Sequence, residues 1–118
     1  MTGIRAIVCG TAHDLPAFEA LIERMRQLVE TGEPETKRYE CFIEPGGNRF
    51  LFEETYDDES GLKAHNTHMA DAGVISEIGE ITTFESVTII GELNDAELRE
   101  ELARYGTIFL DPRMSVAR

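Results

Sequence analysis

The chain contains no tryptophan, only two cysteines and four prolines, and far fewer cations than anions: 11 Lys and Arg against 23 Asp and Glu, a formal charge of −12. Each shortage excludes something. Cys9 and Cys41 both lie in short apolar segments. They do not make a disulfide scaffold and read as small buried hydrophobes. The anionic excess repels phosphate backbones and anionic lipid, which argues against nucleic acid and membrane surfaces as partners. No apolar run reaches the length of a bilayer span, and no basic start leads into a long apolar stretch. Neither a membrane anchor nor a secretory leader is therefore expected, and the cytoplasm is the expected compartment. Low-complexity runs and internal repeats are lacking too. What is present, 42% apolar residues in 118, suits one domain with one core.

The apolar pattern divides this domain into elements. Ile4 to Thr11 is short, β-branched and apolar, as a strand is. Asp14 offers an N-cap and Pro16 falls in a first helical turn. Behind them Leu15, Phe18, Ile22, Met25 and Val29 recur at three- and four-residue steps until Gly32 and Pro34. Two strands follow, about Lys37 to Glu44 and Arg49 to Tyr56, split by the turn sequence Pro45-Gly46-Gly47-Asn48 into a hairpin. Asp57 or Asp58 caps a second helix whose apolar stripe is Leu62, His65, Met69 and Ala72. Gly73 and Gly79 mark a break or a short further helix before a strand from Thr82 to Gly91. The order βαββαβ predicts an α+β domain of the ferredoxin-like type over residues 3–91, with an antiparallel sheet and both helices on one face. Residues 92–118 form an extension. Asn94 and Glu97 resemble a capping box for one more helix, and Thr107 to Leu110 a last short strand, free to reach a second copy.

Period two within the strands predicts a sheet that is apolar on both sides. Phe50, Phe52, Glu54 and Tyr56 share one face against Leu51, Glu53 and Thr55. Ile4, Ala6 and Val8 oppose Ile7 and Cys9, and Phe84 and Ile90 oppose Val87 and Ile89. Two helices cover one face only. A second copy is the simplest cover for the other, so a homodimer with sheet-on-sheet packing is expected.

One constellation carries chemistry. Glu54 and Tyr56 point the same way from their strand, and His65 lies on the helix stripe that packs against it. With Phe18, Met25, Phe50, Phe52 and Met69 around them and Asn66 beside His65, they suggest a small-molecule pocket with apolar walls and few polar groups. If the pocket is that of an enzyme, His65 is the candidate base or hydrogen-bond partner for a substrate hydroxyl, Tyr56 the ring-orienting group, and Glu54 the setter of the imidazole tautomer. The plain alternative is a core imidazole that Glu54 satisfies, with no chemistry attached. An open cavity beside His65 separates these readings from a filled core. His65 and His68, with Asp71 or Glu54, lack a convincingly spaced third ligand, so no metal is expected.

A glutamate, an aromatic two residues on, a leucine eight on and a histidine eleven on, here Glu54, Tyr56, Leu62 and His65, resemble the motif of the antibiotic biosynthesis monooxygenase family. Those proteins are dimeric α+β barrels with this order of strands and helices. The resemblance implies oxygenation of a small aromatic or quinol-like substrate without metal or flavin, the deprotonated substrate itself activating dioxygen. The chain departs from the family in having Tyr56 where Trp is usual and no His five residues after His65, His68 coming three after it. A non-catalytic, ligand-holding or stress-response barrel of the same shape is the alternative function.

Overall fold

The computed structural model describes residues 3–118 as β1 (Ile4–Ala12), α1 (Leu15–Gly32), β2 (Thr36–Ile43), β3 (Arg49–Tyr56), α2 (Glu59–Asp71), α3 (Val74–Ile81), β4 (Thr82–Ile90), α4 (Ala96–Ala103) and β5 (Ile108–Leu110). Local chemistry sets the boundaries. The Asp14 carboxylate accepts from the Ala17 amide and starts α1, and Asp58 accepts from Ser60 and Gly61 to start α2. Gly73, at φ +78°, turns the chain out of α2 and into α3, a conformation that a side chain would strain. Asp95, one residue beyond the expected Asn94, caps α4 through the Leu98 amide. The Asp95 carboxylate lies within reach of that N3 amide, while the backbone amide of Asn94 donates to Glu59.

The sheet order is β2-β3-β1-β4-β5, with β1 antiparallel to both β3 and β4, and β2 antiparallel to β3. β5 runs parallel to β4 of its own chain, Ile108 opposite Thr88 and Leu110 opposite Ile90. The expectation that this strand is free for a second copy is therefore corrected: α4 carries the chain back along the β4 edge, and β5 covers it.

A bulge corrects the period-two reading of β4. Cys9 pairs with Ser86 but Gly10 pairs with Phe84, so Glu85 is an extra residue on β4. Beyond it the parity reverses. Phe84 then lies on the same face as Val87 and Ile89, not on the opposite one. Gly10 makes this possible, because a Cβ there would stand 2.7 Å from the Phe50 ring, which lies across Gly10 toward Phe84.

The helices cover the face that carries Ile4, Ala6, Phe50, Phe52, Glu54 and Tyr56. Two apolar clusters form there. One joins Phe18, Leu21 and Met25 of α1 to Phe50, Phe52, Met69, Val74 and Ile78. The other joins Ile4, Ala6, Tyr56, Leu62 and Ile89 to Leu93, Leu98 and Leu102, so α4 belongs to the core. The opposite face is uncovered. It carries Ile7, Cys9, Leu51 and Ile90, the exposed Phe42, Ile108 and Leu110, and an Arg5–Glu53 ion pair of 2.8 Å. Among the described residues no helix is long and apolar enough to cross a membrane.

Candidate functional site

Where the two clusters meet, the helix-covered face turns polar. Tyr56 is fully buried and its hydroxyl donates to Glu54 Oε1 at 2.5 Å. His65, on the inner stripe of α2, lies between the rings of Tyr39 and Tyr56, with centroids 5.0 and 5.8 Å away. Its Nε2 is 3.7 Å from Glu54 Oε1. Its Nδ1 is 2.6 Å from Oε1 of Glu33, a carboxylate just past the end of α1 whose side chain is 4% exposed. An ionised carboxylate can only accept, so the Nδ1 proton belongs to His65 and donates to Glu33. In the neutral imidazole this leaves the Nε2 lone pair on the Glu54 side.

Glu33 is itself held on three sides. Thr36 Oγ1 donates to Oε1 at 2.8 Å, and His68 Nδ1–H donates to Oε2 at 2.8 Å. Gly32 makes room for that second imidazole, because a Cβ at position 32 would lie 2.9 Å from His68 Cε1. His68 is a third exposed on its side chain, whereas His65 and Glu33 are sealed.

Burial and bonding pull these groups apart in acidity. Burial pushes the Glu33 carboxyl up, but the hydrogen bonds and charge of His65, with the bonds from His68 and Thr36, outweigh it and hold Glu33 below the ordinary range. Burial pushes His65 down, and the bond to Glu33 with the charges of Glu54 and Glu33 lifts it above the ordinary range. Glu54 goes the other way from Glu33. Its burial raises it and Glu33 adds to this, against a smaller pull down from His65 and Tyr56. Tyr56 is raised far up by burial and by Glu54, so it stays a proton donor. The site thus sets a carboxylate lowered by its hydrogen bonds behind the imidazole and a carboxyl raised by burial in front of it.

A cavity of about 300 Å³ opens in front of this group. Glu54, His65, Asn66, Phe52 and Met69 line it, as do Tyr39, Val8, Met25 and Val87. Three residues expected on the wall are elsewhere. Phe18 and Phe50 pack on each other, centroids 4.8 Å apart, and are consumed by the core under α1. Tyr56 stands behind Glu54, so it touches the cavity only through that carboxyl. Conversely, Glu33 and the rim residues Phe84, Glu101, Arg104 and Tyr105 were not anticipated from the sequence. Glu33 sits in a Gly-Glu-Pro breaker that reads as solvated loop. Among the described residues no group of three or more His, Cys, Asp or Glu is arranged to hold a metal ion.

The fold is the ferredoxin-like α+β one, extended here by α4 and β5. No family model matches the chain, and no curated protein matches it in sequence. Among solved structures, MupZ from Pseudomonas fluorescens superposes with a TM-score of 0.84 at 21% identity, over 100% of this chain and 91% of MupZ. SnoaB, a cofactor-independent oxygenase from Streptomyces nogalater, gives 0.67 at 12% identity over 81% of this chain and 98% of its own. Rv0793 from Mycobacterium tuberculosis gives 0.56 at 19% identity over 79% and 98%.

Proposed function

We propose that the chain is an enzyme in which His65 takes a proton from a small, largely apolar substrate, and that the reaction is a cofactor-independent monooxygenation of an aromatic or quinol-like compound. The observation that carries the reading is the Glu33–His65–Glu54 line opening on an apolar cavity. A substrate whose acidic O–H or C–H meets Nε2 gives up its proton there, and Glu33 stabilises the imidazolium that results. The electron-rich anion then reduces dioxygen and bonds to it, giving a peroxide on the substrate carbon. The proton returns from His65 to that peroxide. Loss of water, with a second hydrogen from the same carbon, leaves a carbonyl holding one oxygen atom. The fold shared with a cofactor-independent oxygenase supports this choice among the proton-transfer reactions open to the site.

A second reading is favoured by Glu54. Oxygenation of an anion needs a base alone, whereas this site sets a carboxyl whose pKa is raised by burial beside the base. That pairing suits an isomerisation or an addition of water, with Glu54 as the acid. Turnover of a panel of aromatic and quinol-type substrates under air and under argon separates the two. Oxygen consumption matched to product, and about a hundredfold or greater loss in His65→Ala, is expected for the first. Turnover that persists under argon selects the second, and a panel that binds beside His65 without reacting leaves a binding protein.

We also infer that the chain works as a homodimer through its uncovered sheet face. Ile7, Cys9, Leu51 and Ile90, continuous with Phe42, Ile108 and Leu110, make one apolar surface that a second copy would bury.

A further inference from the structure

The cavity is walled at its outer end by the last turn of α4, outside the βαββαβ unit, and this rim has a chemistry of its own. Ile75, Phe84 and Tyr105 line the cavity and are 40%, 37% and 54% exposed. The Phe84 and Tyr105 rings stand 6.5 Å apart. Large apolar side chains gathered at a pocket mouth mark where a ligand continues out of the pocket rather than ending inside it. Arg104 lines the same cavity and is the one Lys or Arg on its wall among the described residues. Its guanidinium is unengaged: no carboxylate of the described residues reaches ion-pairing distance, Glu101 on the same rim included. In a chain of net charge −12, a cation without a carboxylate partner at a pocket mouth is a local attraction for an anion.

We propose that the substrate is an elongated amphiphile, an apolar body that fills the cavity up to His65 and a carboxylate or similar anionic end that stays at the rim on Arg104. This rests on the reading that the cavity beside His65 is the substrate site. The two polar ends of the pocket then do different work. The buried end, Glu54 and His65, meets the reacting group of a neutral body, and the exposed end holds the charge where it keeps its water. Phe84 and Tyr105 cover the apolar stem as it leaves. Anchoring the anion outside fixes which part of the body reaches Nε2, so α4 acts as a specificity element.

The test uses three probes of equal chain length below their micelle concentrations: decanoate, decanol and decyltrimethylammonium. Binding to the full chain is measured by calorimetry, and occupancy of the cavity by the shift of the His65 ring resonances. Decanoate is expected to bind roughly tenfold more tightly than decanol, with the trimethylammonium weakest. Arg104→Gln should remove the decanoate advantage and leave decanol unchanged, while Arg104→Lys keeps part of it. Equal affinity for decanoate and decanol, or a decanoate preference that survives Arg104→Gln, overturns the proposal. If decanol shifts His65 while decanoate shows no advantage, the anionic end alone is refuted and the site stands. If no probe shifts His65, both fall.

Discussion

His68 illustrates how much of the site depends on a residue that never meets the cavity. It donates to the far oxygen of Glu33 and so fixes the near oxygen against His65 Nδ1. His68→Ala should leave the fold intact and let Glu33 swing, so that the His65 ring populates both neutral tautomers. Nitrogen-15 NMR of the ring reads this directly, with one Nδ1–H tautomer in the parent chain. Asparagine places an amide N–H where the His Nδ1–H stood, so His68→Asn should restore the single tautomer. Gly32→Ala should mimic His68→Ala by crowding the ring. An unchanged His65 spectrum in both disruptive variants would remove His68 from this role. Glu54 makes a separate prediction. Its raised pKa means that the folded chain keeps a proton the unfolded chain has released. Stability therefore falls as pH rises from the ordinary glutamate value toward the folded one. His65, also raised, adds stability below the ordinary histidine value that is lost as pH rises through its folded one. Glu33, lowered, adds stability above the ordinary glutamate value and loses it as pH falls. Urea midpoints from about pH 4 to about pH 8 should thus decline in the parent chain and decline less in Glu54→Gln. Glu54, Tyr56 and His65 were readable in advance because a strand and a helix stripe fix which side chains share a face. Glu33 was not, since nothing local marks a residue between Gly32 and Pro34 as buried.

At the scale of elements, α4 is the piece whose loss is most informative. Leu98 and Leu102 bury its inner side against Ile4, Ile89 and Leu93, and Arg99 lies 4.1 Å over the Phe109 ring, tying α4 to β5. Leu98→Ala removes the most deeply buried of these contacts and should cost about 2–5 kcal/mol. Amide exchange should rise across residues 92–110 while β1 and β3 stay protected; a uniform rise would show instead that α4 unfolds only with the whole sheet. The strands and the first two helices were legible because each repeats its period for several residues. The face of Phe84 was not, because a single inserted residue, Glu85, reverses the alternation and leaves no mark in composition. The pairing of β5 was equally hidden, since three residues cannot state which edge they join.

For the whole molecule, the uncovered sheet face carries the prediction of assembly. Leu51→Glu puts a charge in the middle of it without touching the cavity side. Light scattering behind size exclusion should give twice the chain mass for the parent at micromolar concentration and the single mass for this variant. A parent chain that elutes as a monomer would refute the dimer and leave the pocket chemistry untouched.

The central position of β1 bears on how the chain comes to be folded at all. Its residues Ile4–Ala12 are made before their partners, which are β3 and then β4, ending at Ile90. The sheet cannot close until the chain has travelled through nearly all its helices, which is a slow and loop-costly route. During synthesis the apolar first strand must wait with both edges open, and the β2–β3 hairpin is the earliest partner to arrive. The nascent domain is therefore most exposed to misassociation in the interval before β4 emerges, and that hazard is set by strand order rather than by any single residue.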